Sequence, residues 1–267
     1  MSETYNLLLH FKNKLQKTSF SAGKEIMKYH NKLSCIDKKN DNSPVTKADE
    51  LAEEIILNDL YKLDTKLPVI AEEDSYKNGL PKFDGNSFWC IDALDGTKEF
   101  IKSGKNFTVN ISLVIDRIPV LGIIYAPALN LLYSGIKYKS SNLAQHIDLD
   151  NNKEKNIKTR KYPRSGIIVL NSLHHSNKKL LNNFLYNYNV KEIISISSSL
   201  KFCLIAEGKA DIYPRFGPTN EWDTAAGQTI LNAAGGNVVT FNGKELFYNK
   251  RSQNFINDNF IASNGEI

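Results

Sequence analysis

The feature that most constrains this chain is a change of pattern near residue 140. Before it, strands follow one another directly. Phe107 to Ile115 alternates apolar and polar residues and is rich in β-branched side chains. Asp116-Arg117-Ile118-Pro119 then turns the chain into Val120 to Tyr125, and Leu131 to Ser134 offers a third strand. Connections this short join antiparallel neighbours. After the change, strands and helices alternate. Ile167 to Leu170, Val190 to Ser195, Ala210 to Tyr213 and Asn237 to Phe241 read as strands. Asn177 to Tyr188, Ser199 to Ala206 and Trp222 to Ala234 between them read as helices, the order of an α/β layer. We therefore expect an N-terminal α+β domain over 1–140 and a C-terminal α/β domain over 141–267, with 139–165 a polar stretch of no firm periodicity.

Two helices precede the strands. Leu8, Phe11, Leu15, Ala22, Ile26 and Tyr29 recur at three- and four-residue steps with lysines between them, an amphipathic stripe. A polar loop from Asp37 to Ser43 ends in Pro44. A second helix begins near Lys47 with Ala48, Leu51, Ala52, Ile55 and Ile56 as its apolar face. Pro68 to Ala71 is a short apolar strand that runs straight into Glu72, and Ser87 to Ile91 runs into Asp92.

Bulk properties exclude several classes. With 267 residues, 41% of them hydrophobic, the chain can bury a real core. A net charge of +5 suits anionic ligands. Its lysines are scattered, however, without the folded basic patch that nucleic-acid binding needs, so no nucleic-acid partner is expected. Cys35, Cys90 and Cys203 form no C-x-x-C pair, and the histidines, His174 and His175 included, show no metal-ligand spacing. The cysteines read as buried thiols of a reducing compartment. No apolar run approaches the roughly 20 residues that span a bilayer, and the N-terminus lacks a leader pattern. A cytoplasmic protein is the expectation.

The chemistry lies in the acids. Glu72 and Asp92 each end an apolar strand, where layered α/β structures open onto a ligand crevice. Asp92-Ala93-Leu94-Asp95-Gly96-Thr97 adds a second carboxylate three residues on, expected in a tight turn. With a carbonyl from Ala93 or Leu94 it makes a hard-oxygen pocket suited to Mg²⁺. The amides of Gly96 and Thr97 open a short helix that favours phosphate, although an Asp-Gly turn that merely caps a helix has the same pattern. Asp223 and Asp49 stand in the first turns of helices, where a carboxylate also serves the helix dipole for about 0.3–1 kcal/mol. Glu73 and Asp74 read as solvated neighbours of Glu72 or as groups that orient it. Five carboxylates do not converge without cations. Two Mg²⁺ would offset four of the charges and suit two-metal phosphoryl transfer. Spacing alone does not show that they converge.

At these residues the chain resembles the inositol monophosphatase superfamily of lithium-sensitive, magnesium-dependent phosphatases. More narrowly it is similar to the bacterial CysQ-type 3'(2'),5'-bisphosphate nucleotidases. The segments that carry the match are NSPVTKAD (42–49), AEED (71–74), WCIDALDGTKEFI (89–101), FTVNISLV (107–114), GIIYAPALNLLYSG (122–135), SSSLKFCLIAEGKADIYPRFGPTN (197–220) and EWDTAAG (221–227). The acid motifs mark the superfamily, while DGTKEFI and YPRFGPTN mark the narrower group.

The resemblance implies a layered αβαβα sandwich of the inositol monophosphatase/fructose-1,6-bisphosphatase type, an α/β (α+β) fold with the site between its halves. It implies a hydrolase acting on the 3'-phosphate of adenosine 3',5'-bisphosphate to give AMP and phosphate, and on its sulfated relative, in sulfur assimilation and nucleotide recycling. The partner is then a small nucleotide bisphosphate. Monomer and homodimer stay open, as does peripheral association with the cytoplasmic face of the inner membrane.

Carried over by residue, Glu72, Asp92, the carbonyl of Leu94, Asp95 and Asp223 would hold two or three Mg²⁺. Asp49 and Thr97 would activate the attacking water. Glu72, Leu94, Asp95, Gly96, Thr97 and Asp223 would also face the scissile phosphate, with His174, Ser198 and Lys201 toward the nucleotide and Arg215 toward a second phosphate. Lys201 could equally be an exposed helix lysine, and Arg215 a structural ion-pair partner. Two departures matter. Ala93 replaces the usual proline of D-P-x-D-G-T, and Ser172 in Asn171-Ser172-Leu173-His174 stands where the narrower group carries an arginine. The second keeps an inositol- or sugar-phosphate phosphatase on the same scaffold as an alternative, with a catalytically silent nucleotide-binding regulator more remote.

Overall fold

The computed structural model describes residues 3–32, 36–38, 44–63, 65–174 and 177–266. Cys35, His175 and most of the loop before Pro44 lie outside the described residues.

In chain order the elements are α1 (Glu3–Met27), β1 (Ile36–Lys38), β2 (Pro44–Thr46), α2 (Lys47–Tyr61), β3 (Val69–Ala71) and α3 (Glu72–Asn78). Then come β4 (Phe88–Asp95), α4 (Thr97–Ile101), β5 (Thr108–Ile115), β6 (Ile118–Ala126), β7 (Leu131–Tyr138), β8 (Ser141–Asp148) and β9 (Lys153–Asn156). The rest is β10 (Ile167–Ser172), α5 (Lys178–Leu185), β11 (Val190–Ile196), α6 (Leu200–Ala206), β12 (Ile212–Arg215), α7 (Glu221–Ala233), β13 (Asn237–Thr240) and β14 (Phe260–Ser263).

β3 to β9 form a seven-stranded sheet in sequence order, antiparallel except for the β3–β4 pair. The second sheet runs β11-β10-β12-β14-β13, with β10 parallel to both neighbours and β14 antiparallel to β12 and β13. Strands β8 and β9 belong to the first sheet, although no periodicity marks them. β9 is exposed at all four positions and needs no apolar face.

The strand patterns follow from the layers. β5 is buried at seven of eight positions because helices cover both its faces. Val109, Ile111 and Leu113 point toward Leu8, Phe11, Leu15, Ala52 and Ile56 of α1 and α2. On the opposite face of the sheet, Ile124 and Tyr133 meet Ala226, Ile230 and Leu231 of α7, which also packs with Phe202 of α6 and Tyr213 and Phe260 of the second sheet. Leu181 and Leu185 of α5 cover that sheet's far face with Val169, Ile212 and Ile261. The result is five layers, helix–sheet–helix–sheet–helix, as the α/β sandwich reading expects.

α7 is the middle layer, and apart from Asp223 it is buried from Glu221 through Leu231. Among its buried polar side chains, Gln228 donates to the Leu246 carbonyl and Glu221 accepts the amides of Asn249 and Lys250, and its small residues let it sit close. Gly122 of β6 and Gly135 of β7 face its backbone. A Cβ at Gly135 would stand 2.7 Å from Ile230 Cα.

Candidate active site

Register builds the first half of the site. β3 pairs in parallel with β4, Ala71 opposite Ile91, so the next residues, Glu72 and Asp92, emerge side by side. β4 does not end at Asp92 as a tight turn would require. It continues to Asp95, but the pairing with β5 shifts from Asp92↔Asn110 to Asp95↔Thr108, so Ala93 and Leu94 together oppose Val109 in a bulge. The Leu94 amide donates to Asp92 Oδ1 at 2.9 Å, which fixes the bulge from within. Gly96 then adopts φ +96°, where a Cβ would crowd the Asn106 carbonyl at 3.2 Å. Its carbonyl accepts the amides of Glu99 and Phe100 and starts α4.

Two helix starts supply further acids. At α2, Asp49 caps the chain: its Oδ2 accepts the Thr46 amide at 2.8 Å and the Thr46 hydroxyl at 2.5 Å. Its other oxygen, Oδ1, lies 3.2 Å from the Thr97 hydroxyl, which is also 3.2 Å from the Leu94 carbonyl. At α7, Asp223 repeats the arrangement, with Oδ2 accepting the Asn220 amide at 2.9 Å. The dipole role expected of such aspartates is present at both positions, and each carboxylate keeps a second oxygen for other work.

The chain brings three of the acids to one point. Carboxylate oxygens of Glu72, Asp92 and Asp223 lie within 4.8 Å of one another. Asp95 stands next to them, its Oδ2 accepting the Ser199 amide at 2.6 Å. Desolvation in the cleft raises the Asp223 carboxyl well above the usual range, and the charges of Asp95 and Glu72 add to it. Asp95 is raised by the same desolvation, against the pull of Lys201 and the Ser199 amide. The donor set is all oxygen and strongly anionic, without sulfur or imidazole. That chemistry fits a hard divalent cation such as Mg²⁺, which would relieve the mutual repulsion of these carboxylates.

A cleft of about 760 Å³ opens over the cluster, lined by Glu72, Asp95, Gly96, Thr97 and Asp223. Ser198, Lys201, Arg215, His174 and Ser172 also line it. Lys201 is not an exposed helix lysine. It is 4% exposed, donates to the carbonyls of Ile196 (3.1 Å) and Ser198 (2.6 Å), and lies 5.1 Å from the Tyr213 ring. Burial brings its pKa down to about 8. Ser198, between those carbonyls, has φ +61°. Arg215 is 7% exposed and donates through Nη2 to the Pro218 carbonyl, while its Nε has no hydrogen-bond partner. His174 Nε2 is 3.7 Å from Glu99 Oε2. Ser172, in the arginine position of the narrower group, is 8% exposed.

Three contributors escape a reading of spacing. Ser199 holds Asp95 through its amide, and its hydroxyl joins Asn110 and Thr108. Asn110, a buried amide inside the apolar run of β5, is a signal that could have been read. Glu53, one turn after Asp49, accepts the amides of Glu73 (2.8 Å) and Asp74 (2.7 Å). Its burial pushes the carboxyl up to about 7.

An acidic oxygen cluster between the two sheets of such a sandwich is the arrangement of one phosphatase class. Residues 9–264 match the inositol monophosphatase family, and the chain belongs to it. Among its relatives, the 3'(2'),5'-bisphosphate nucleotidase CysQ of Buchnera aphidicola is 42% identical over 254 residues, 94% of this chain and 92% of that protein. The CysQ nucleotidase of Escherichia coli K12 is 40% identical over 245 residues, 91% of this chain and 95% of its own. The crystal structure of CysQ from Bacteroides thetaiotaomicron, a bacterial member of the same family, superposes with a TM-score of 0.77 at 34% identity, covering 97% of this chain and all of that one.

Proposed function

We propose that this chain is a Mg²⁺-dependent 3'(2'),5'-bisphosphate nucleotidase, a phosphoric monoester hydrolase that converts adenosine 3',5'-bisphosphate to AMP and phosphate. The observation that carries the reading is one cleft that holds both a carboxylate cluster and two buried cations, Lys201 and Arg215. A substrate with two phosphates needs both. Nucleotidase relatives at 40% identity or more over nine-tenths of the chain support the substrate class.

In this reading Glu72, Asp92, the Leu94 carbonyl, Asp95 and Asp223 would hold two or three Mg²⁺. The bound cations supply charge neutralisation and Lewis-acid polarisation of the phosphoryl oxygens. The chain's own groups do the rest. Asp49 is locked by Thr46 and leaves Oδ1 to accept the Thr97 proton. With its proton so directed, Thr97 Oγ1 offers a lone pair to a water and orients it for in-line attack on phosphorus. The water oxygen forms the new P–O bond, the bond from phosphorus to the ribose 3'-oxygen breaks, and that oxygen leaves with the proton that the attacking water gives up. The Gly96 and Thr97 amides face the phosphate, the Arg215 guanidinium lining the cleft takes the second phosphate, and Lys201, Ser198 and His174 border the nucleoside.

No helix among the described residues is long and apolar enough to cross a membrane. We read the enzyme as acting on a free nucleotide in the cytoplasm, as a monomer or homodimer, with contact to the inner membrane at most peripheral.

The test is phosphate release from adenosine 3',5'-bisphosphate with Mg²⁺, with and without millimolar lithium, beside inositol 1-phosphate. Fast, lithium-sensitive release from the nucleotide is expected. Preference for the inositol phosphate would transfer the site to the alternative substrate class that Ser172 keeps open.

A further inference from the structure

α3 begins without a cap of its own. The first amides of a helix need acceptors from outside it, and the residue in the capping position is Ala71, whose side chain has none. The acceptors come from a different helix. Glu53 of α2, 4% exposed, places Oε2 2.8 Å from the Glu73 amide and Oε1 2.7 Å from the Asp74 amide. An anion gripping two consecutive amides away from water makes strong, oriented bonds. It fixes both the distance and the rotation of the turn that Glu72 heads.

The choice of group is costly if capping is all it does. Glu72 and Asp74 both push against the Glu53 charge. A serine or threonine at position 71 would cap α3 locally without adding a buried acid to an acidic site. What the distant carboxylate adds is register between two helices. Glu53 lies four residues after Asp49, on the same face of α2. Asp49 reaches Thr97 and Glu53 reaches the turn of Glu72, so one rigid helix sets both.

We infer that Glu53 is a positioning residue, which registers α3 against α2 so that the Glu72 carboxylate meets Asp92 and Asp223. The inference rests on the reading of Glu72 as a cation ligand.

The test is direct Mn²⁺ binding to the full chain without substrate, with free Mn²⁺ followed by its electron paramagnetic resonance signal. Mn²⁺ stands in for Mg²⁺ because it shares the preference for carboxylate oxygen. Glu53→Gln keeps the shape but sets an amide N–H₂ against a backbone N–H. It should raise the Mn²⁺ dissociation constant about tenfold while the KM for nucleotide at saturating metal stays within twofold. Glu53→Asp, which keeps the charge and loses reach, should give a smaller rise, and it serves if the glutamine variant does not fold.

Ala71→Ser added to Glu53→Gln separates positioning from capping. Recovery of the unfolding temperature without recovery of Mn²⁺ affinity supports the inference; recovery of both overturns it. Asp211→Asn, which weakens the pairing of a buried aspartate with the half-buried Arg160 elsewhere in the fold, should lower stability and leave Mn²⁺ binding unchanged. Wild-type Mn²⁺ affinity in a folded Glu53→Gln protein overturns the inference. If Glu72→Gln also binds Mn²⁺ as the wild type does, the cation-ligand reading itself falls, and the role of Glu53 falls with it.

Discussion

Gly135→Ala adds one methyl group where α7 lies against β7. That methyl carbon would stand 2.7 Å from Ile230 Cα and 3.1 Å from Ile230 N, against ordinary contacts that begin near 3.4 Å. Ile230 Cγ1 also stands at 3.1 Å, but the nearest atom is helix backbone, so a side-chain rotation alone gives no relief. Relief requires α7 to move away by about 0.7 Å, the difference between 3.4 and 2.7 Å. Overpacking of a close-packed layer costs about 1–3 kcal/mol, which should appear as a lower midpoint in urea at an unchanged slope. The same movement carries Asp223, seven residues toward the start of the helix, away from Glu72 and Asp92. Misplacement of a reacting group by about 1 Å can cost about 10²-fold in rate, so kcat should fall by about 10-fold or more. Paired urea and initial-rate measurements check both effects. A variant with wild-type midpoint and wild-type kcat would refute the claim that α7 seats by direct contact of its backbone with the sheet.

Other outcomes follow from the same geometry. Asp95→Asn should lower kcat at least about 10²-fold through loss of transition-state charge stabilisation; a value within fivefold of wild type contradicts that role. Arg215→Met should raise the KM for the bisphosphate nucleotide about tenfold or more and leave that for inositol 1-phosphate within twofold, since only the first carries a second phosphate. His146, buried and stacked on Tyr133 at 4.6 Å, faces Glu207, Lys155, Lys209 and Asp148, and burial holds it below its ordinary value of 6.5. The unfolded chain therefore takes up that proton first, and stability falls as pH drops below about 6.5, by up to about 1.4 kcal/mol per pH unit. His146→Phe should flatten that slope in unfolding measured between pH 7.5 and 5.5.

What the sequence made legible was what period and burial write into it. The stripe of α1, the β5–β6 hairpin and the strand–helix alternation after residue 165 all bury a face and so carry a pattern. β8 and β9 bury little and left none. Glu72 and Asp92 could be placed at strand ends, but their adjacency depends on β3 pairing in parallel with β4, which neither strand's sequence declares. The expected turn from Asp92 to Asp95 is a bulged strand, because the two residues between the acids fit opposite one residue of β5. Lys201 illustrates the limit most clearly. A lysine in the first turn of a helix is exposed by default, and only the two carbonyls around Ser198 turn it inward. Asp49 and Asp223 had a capping role available and took it, and nothing in their spacing foretold the second oxygen each keeps.

The position of α7 has a consequence for how such an enzyme can change. The helix follows β12 of the second sheet, yet it covers the first sheet and carries an acid to that sheet's strand ends. A new substrate range cannot be acquired by exchanging the C-terminal half as a cassette. The graft would bring a foreign helix to the glycines of β6 and β7 and a foreign aspartate to the cluster. A change at a cleft side chain such as Ser172, by contrast, leaves that packing untouched.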